Sequence, residues 1–466
     1  MNDPMAFSTP HVVMPPAPVV DTPASTEELL RWASAAVGGP ITDWHQISGG
    51  NRYQSFTISA RDADDEERRY YLRYQLPRSV SVEPYTVLRE VAFYRLLEKS
   101  GVPAARLVAV NTDLPAVLLE HVDGIAEYRR LVDIAERETI AMEFTDALST
   151  LHGTPFDLRI FPDADRRRTL PDCAAAEIAD WKAMYDEVAV REPLIETSLR
   201  WLADNVSPAE GAPVLVHGDA GPGNFLFKGG HLSAIIDWEF AHPGDWHDDL
   251  AWFSMRCVME PVPDFPACLR RYEMQSGRTI DVRRLRFYQV LVSTRVLIVR
   301  HRNVSGEHGN SIVSRALNRR LLTAALAAAN DIVLAPFVLA DVPPTDQTEL
   351  YDFVIAGLRD DISSRSDDKH VAASSKNLAK IVKFLREIDR YGVILERSEM
   401  ARLAAVLGDE PSSRNSGYLA LSSAVSAGAI EFEVALRVFA EGARCDAILA
   451  ASASGRIANR TWPDVE

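Results

Sequence analysis

Asp219 and Asn224 stand five residues apart in VLVHGDAGPGNFLF, with two glycines and a proline between them. An apolar run that halts at His217-Gly218-Asp219 and continues into so tight a turn makes a poor interior strand, because a buried strand has no use for an Asp and an Asn. Transfer of a phosphoryl group to an alcohol does need such a pair. A carboxylate must orient the hydroxyl and accept its proton, and oxygen ligands must hold Mg²⁺ on the phosphates.

One rigid turn carrying an Asp and then an amide supplies both, at the Asp-to-Asn spacing of a protein-kinase catalytic loop. A second metal-binding carboxylate should end a nearby strand, and Asp237 does so after the apolar LSAII. Either half alone is a weak signal. H-G-D-x-x-x-x-N followed by I-D-W-E is a specific one.

On these residues the chain resembles the aminoglycoside phosphotransferase family, small-molecule kinases with a protein-kinase-like fold. The resemblance is carried by His217-Gly218-Asp219, Pro222-Gly223-Asn224 and Ile236-Asp237-Trp238-Glu239. Gly244-Asp245 and Asp249-Leu250-Ala251 match a further family segment, with Trp246 in place of the usual Pro. It covers about residues 40 to 330. It implies Asp219 as catalytic base, Asn224 and Asp237 as Mg²⁺ ligands, Asp249 as a brace for the loop, and ATP (or GTP) as co-substrate.

The N-terminal half must then hold the nucleotide. Ser48-Gly49-Gly50-Asn51 follows a first strand and offers backbone N–H groups to phosphate, although it is no GxGxxG. Where a kinase strand carries Lys, YYLRYQ carries Arg73, whose guanidinium suits bidentate phosphate contact. Glu90 on the following helix is its expected partner. Leu119 to Val122, including Glu120, would form the hinge that meets adenine through backbone groups.

The elements that must position these residues can be read from periodicity. Ser25 and Glu28 form a capping box ahead of LLRWASAAV. WHQISGG, YQSFTISA and YYLRYQL read as strands, VLREVAFYRLLEKSG as a helix stopped by Gly101, and AARLVAV and PAVLLEHV as two more strands. From Glu138 the signal is helical, interrupted by VLVHGD and HLSAIIDWEF. VPPTDQ marks a linker, after which ELYDFVIAGLRDDI, NLAKIVKFLREIDR, EMARLAAVL and EVALRVFAEGARCDAIL have helical spacing.

The expected fold is α+β and bilobal, protein-kinase-like: a small N-terminal antiparallel sheet lobe with one helix and a larger, mainly helical lobe, followed by an all-α C-terminal domain. The divisions fall at 1–25 (a disordered, Pro-rich tail), 26–122 (nucleotide-binding), 123–335 (catalytic and acceptor-binding) and 345–466 (helical). The last segment resembles a helical domain fused behind such kinases, the match lying at His370-Val371-Ala372-Ala373.

Composition narrows the function classes. The 466 residues, 47% hydrophobic and 25% charged, describe a globular protein of two or three domains. A net charge of -16 argues against a nucleic-acid partner. No apolar run is long enough for a membrane span. The N-terminus lacks the pattern of a secretory signal, and four scattered cysteines without a CxxC pair fit reduced thiols, so a cytoplasmic location is expected.

Between Asp281 and Arg320 stand nine arginines against two acids, Asp281 and Glu307. If they line the acceptor site, the acceptor is anionic, since like charges would repel a polycationic aminoglycoside. Relatives tied to acyl-CoA breakdown make a hydroxyacyl-CoA a candidate. The competing class is a nucleotide-binding pseudokinase that regulates a partner through its C-terminal helices.

Overall fold

The structure is a computed structural model describing residues 23–47, 53–61, 65–77, 84–302, 309–336 and 342–465. The Ser48-Gly49-Gly50 loop and residues 1–22 of the Pro-rich tail lie outside the described residues.

The chain opens with helix α1 (Thr26–Val37), started by the reciprocal Ser25–Glu28 capping box and ended by Gly38 in the left-handed region. Strands β1 (Ile41–Ile47), β2 (Tyr53–Arg61) and β3 (Glu67–Gln75) precede helix α2 (Val87–Leu97), then β4 (Leu107–Asn111) and β5 (Ala116–Glu120). They form one antiparallel sheet in the order β1-β2-β3-β5-β4. Helix α2 ends before Gly101, which takes up a left-handed turn beyond it.

The period of two divides this sheet into two faces. Phe56, Ile58 and Ala60 of β2, Tyr70, Leu72 and Tyr74 of β3, and Leu118 of β5 form a core with Leu29 and Ala33 of α1. Arg73 alternates with Leu72 and Tyr74, so it projects from the other face, and its neighbours in register are Ser55 and Val117. Helix α2 packs against β3, β4 and β5. This is the small lobe expected from the sequence.

Helices α3 (Ile134–Gly153), α4 (Leu170–Asp186) and α5 (Pro193–Asp204) follow. Four short strands come next, β6 (Val214–Val216), β7 (Phe225–Lys228), β8 (His231–Ile235) and β9 (His242–Gly244). β7 and β8 make a hairpin whose two-residue turn is Gly229-Gly230, both at positive φ as such a turn requires. β6 pairs with β9. The remainder is helical: α6 (Trp246–Met259), α7 (Phe265–Ser276), α8 (Val282–Arg302), α9 (Gly309–Ala329), α10 (Thr348–Ala356), a π-helical segment (Gly357–Ser363), α11 (Lys369–Leu407), α12 (Arg414–Ser426) and α13 (Phe432–Ser454).

Two compact units result. The first comprises Met1–Asp180, Pro208–Ile280 and Asp464–Glu466, and it holds the sheet, the four short strands, α6 and α7. The second comprises Trp181–Ser207 and Asp281–Pro463 and is helical. In it α8 and α9 cluster with the C-terminal helices, a grouping by compactness that differs from the sequence division at 335–345. NLAKIVKFLREIDR and EMARLAAVL join into the 39-residue α11, since no proline or capping signal separates them. Helix α12, capped by Ser413, arises from a segment that the periodicity had not marked.

The second unit has an ionic interior. Arg319 pairs with Glu192 at 2.5 Å and with Asp446 at 2.9 Å, and Arg414 joins Asp446 to Glu399. All four cysteines are free and buried. Among the described residues no helix is long and apolar enough to cross a membrane.

Candidate active site

The loop from His217 to Asn224 is fixed from beneath by one carboxylate. Asp249, on the first turn of α6 and fully buried, accepts from the His217 amide at 2.8 Å and from the Gly218 amide at 2.9 Å. His152 of α3 reaches the same carboxylate at 3.0 Å through Nε2, and its Nδ1 lies 2.7 Å from the Tyr272 hydroxyl. Burial opposes ionisation of Asp249, but the His152 bond, His217 and these donors outweigh it and hold its carboxyl below the usual range. The bracing role expected for Asp249 matches this geometry.

The His217 ring ties the loop to the strand beyond. Its Nδ1 accepts from the Asp219 amide at 3.2 Å and its Nε2 donates to Ile236 O at 2.9 Å, which sets the tautomer. The ring also packs on Trp238, 4.6 Å between centroids. His217 is thus a positioning histidine, as its type on such a loop favours.

Asp219 emerges from this support with both oxygens engaged. Asn224 Nδ2 donates to its Oδ2 at 2.8 Å and to its carbonyl at 2.8 Å. Arg256 of α6 grips the carboxylate with two nitrogens, Nε at 2.8 Å from Oδ1 and Nη2 on Oδ2. The sequence reasoning missed Arg256. A signal existed: Arg256 follows Asp249 by seven residues, two helical turns, so both project from one face of α6.

The hairpin brings the second acid alongside. Asn224 immediately precedes β7, Asp237 follows β8 by two residues, and the Ile236 amide donates to Asn224 O at 3.0 Å. Asp237 has φ 65° and ψ 59°, a left-handed conformation uncommon for a residue other than glycine. Burial again opposes its charge, yet Arg73, His217 and Arg256 prevail and keep its carboxyl below the ordinary range.

Arg73 closes the group from the small lobe. Its Nη1 lies 3.0 Å from Asp237 Oδ1 and 3.4 Å from Glu90 Oε2, its Nη2 lies 2.9 Å from Glu239 Oε2, and the guanidinium sits 4.0 Å over the Tyr53 ring. The partner expected from sequence, Glu90, is present and 1% exposed. Glu239, quoted in the motif without a role, is a third carboxylate on the same guanidinium.

The remaining expected residues lie apart or outside. Glu120 ends β5 with its carboxylate on Arg106, and the amides of Glu120 and His121 are bonded to Arg106 O and Arg69 O. Val122 follows in the connection to α3. Ser48, Gly49 and Gly50 lie outside the described residues.

Several of the arginines of 281–320 are engaged within the second unit, whereas Arg283, Arg300 and Arg315 are exposed. Arg295 is 1% exposed, Arg302 pairs with Glu187, Arg319 with Glu192 and Asp446, and Arg320 donates to the carbonyls of Ala458 and Arg460. A buried Arg295 and an ion-paired Arg302 make poor walls for an anionic ligand, so the structure lends that expectation no support.

Comparison with known proteins gives the family. The family described as "Phosphotransferase enzyme family" matches residues 43–288, more than half of the chain, and the protein belongs to it. An acyl-CoA dehydrogenase family member 11 from Gallus gallus is 26% identical over 193 residues. The match takes in 39% of this chain and only 24% of that one, so the chain spans about a quarter of that relative. Among solved structures, the aminoglycoside phosphotransferase APH(4)-Ia, in complex with ADP and hygromycin B, is 16% identical over 65% of this chain and 98% of its own, with a TM-score of 0.45. A candidate fructosamine-3-kinase from Thermobifida fusca is 17% identical over 66% and 100% of the two chains, also with a TM-score of 0.45.

Proposed function

We propose that this member of the phosphotransferase enzyme family transfers the γ-phosphoryl group of ATP (or GTP) to a hydroxyl of a small molecule. The observation that carries the reading is the convergence of Arg73, Asp219, Asn224 and Asp237 from separate parts of the chain onto adjacent atoms. In this reading the acceptor oxygen attacks the γ-phosphorus, the bond from that phosphorus to the β,γ-bridging oxygen breaks, and the hydroxyl proton passes to Asp219. The products are a phosphate monoester and the nucleoside diphosphate.

Asn224 and Asp237 fit a magnesium site. Asn224 turns its amide nitrogen toward Asp219, leaving its oxygen for a cation, and 38% of the Asp237 side chain is exposed. Among the described residues no cluster of three or more acids, histidines or cysteines forms a complete metal cage. When bound there, Mg²⁺ would neutralise charge on the phosphates.

Residues 26–122 would bind the nucleotide, with Ser48, Gly49 and Gly50 over the phosphates. The Glu120 and His121 amides donate to Arg106 O and Arg69 O, so adenine at the hinge would be met by the Val122 backbone and by the Glu120 carbonyl. Residues 123–335 would supply the catalytic loop and acceptor surface. An anionic acceptor such as a hydroxyacyl-CoA is the class to test first, the Gallus gallus relative being named as an acyl-CoA dehydrogenase family member. A screen of nucleotide consumption over hydroxyl compounds, with and without coenzyme A esters, tests the assignment. Mg²⁺-dependent turnover of one such compound is expected, and none across ATP and GTP would defeat it.

A further inference from the structure

Arg256 has a place in the site that bracing a loop does not account for. Two of its three guanidinium nitrogens hold Asp219, and the third, Nη1, has no acceptor among the described residues. Its side chain remains 30% exposed. The glycines of the 219–224 turn make room for it. A Cβ at Gly221 would stand 2.6 Å from Arg256 Cβ, and one at Gly223 would stand 3.4 Å from Nη1. The composition of that turn, puzzling for a strand end, follows from the passage of this side chain.

Among the described residues no other cation bonds the Asp219 carboxylate. Arg73 is 7% exposed, faces Asp237, Glu90 and Glu239 with its two terminal nitrogens, and has its guanidinium carbon 4.0 Å over the Tyr53 ring. Arg256 instead stands in the field of Asp219, Asp237 and Glu239. Those carboxylates outweigh the burial that opposes its charge, so it stays protonated. In phosphoryl transfer negative charge spreads over the equatorial oxygens, and a fixed cation beside them lowers the barrier.

We propose that Arg256 is a catalytic residue, its Nε and Nη2 fixing the plane of Asp219 while Nη1 meets an equatorial oxygen of the transferring phosphoryl group. Arg256 keeps its proton throughout, and the hydroxyl proton goes to Asp219. The proposal rests on the phosphotransferase reading and adds to it a residue that reads the transition state rather than the bound nucleotide.

The test uses the full chain with Mg²⁺, comparing its affinity for ADP alone with that for ADP plus aluminium fluoride, a mimic of the phosphoryl group in flight. The wild-type protein should bind the fluoride complex about 10- to 100-fold more tightly, the scale of a charged hydrogen bond. Arg256→Gln should bind ADP as wild type does and lose that increment. Arg256→Lys, which keeps the stem and the charge, covers a folding failure of the Gln variant and should also lose most of the increment. Retention of the full increment by either variant, or no increment in wild type, overturns the proposal. So does an equal loss of plain ADP affinity, which would make Arg256 scaffold. Failure of wild type to bind Mg·ADP at all is a different result and sinks the phosphotransferase reading itself.

Discussion

Arg73 and Asp237 are 164 residues apart in sequence and meet at 3.0 Å. The contact joins the sheet lobe to the end of the β7–β8 hairpin, and the left-handed backbone of Asp237 aims its carboxylate at that meeting point. Glu90 is the more distant partner at 3.4 Å, so Arg73 is better described as the centre of three carboxylates than as half of an ion pair.

That arrangement predicts more than a nucleotide effect for Arg73→Ala. The substitution strands Glu90, which is 1% exposed, together with Asp237 and Glu239. Breaking a buried charge pair from one side costs about 3–5 kcal/mol. Urea denaturation should show a loss on that scale, and Mg-nucleotide affinity should fall by about 1.5–3 kcal/mol where a charged hydrogen bond to phosphate is lost. Arg73→Lys, with one ammonium for three acids, should fall between. A stability change below about 1 kcal/mol for Ala would mean that the clamp is a solvated surface pairing.

Asp219→Asn and Asp237→Ala should separate chemistry from binding. The first removes the proton acceptor and should lower turnover by about 10²-fold or more, with nucleotide affinity nearly intact. The second removes a ligand for the cation and should abolish the Mg²⁺ dependence of nucleotide binding. Wild-type turnover in the first variant would remove Asp219 from its role as base. Undiminished Mg-nucleotide affinity in the second would remove Asp237 from the metal site.

Asp249 predicts a pH dependence with a definite sign. Its folded carboxyl titrates below the unfolded one, because burial is outweighed by His152, His217 and the amides it accepts. The stability it contributes is therefore complete above the unfolded value, about 4, and is lost as pH falls through the lower folded value. Asp249→Asn should be less stable at pH 7 by about 3 kcal/mol, the lower end for a broken buried pair. The gap between variant and wild type should narrow as urea midpoints are followed from pH 5 to pH 3. A gap independent of pH would mean that shape rather than charge at Asp249 supports the loop.

Much of this was legible because it is local. The capping box at Ser25, the alternation that fixes Arg73 opposite Leu72, and the fixed spacing of Asp219 and Asn224 depend on neighbours in sequence. The Arg73–Glu90 pairing was accessible because strand β3 and helix α2 follow one another directly. Arg256 on Asp219 and Glu239 on Arg73 were not, since those contacts are set by how α6 and the segment after β8 pack against the loop. The ion pairs of Arg302, Arg315 and Arg319 were hidden for the same reason. Their acids, Glu187, Glu192 and Asp446, lie outside the window in which the charge was counted.

Gly218 offers the sharpest test that the loop and the Asp237 segment form one rigid body. Its φ is 78°, and a Cβ there would stand 2.3 Å from Phe240 O, a backbone atom that no rotamer change can move aside. Gly277 has a comparable φ of 66° with nothing within 4 Å of the added carbon, so it isolates the cost of the left-handed backbone alone. Gly277→Ala should destabilise by about 1–2 kcal/mol. Gly218→Ala adds overpacking against a fixed carbonyl and should lose at least about 3 kcal/mol. It should also lower turnover, because relieving the contact moves Asp219 away from the Asp237–Phe240 segment that carries the second acid. Thermal or urea unfolding of the two variants side by side decides the matter. Equal losses would mean that the loop yields to the new methyl group, and that the spacing between the two acids is set elsewhere.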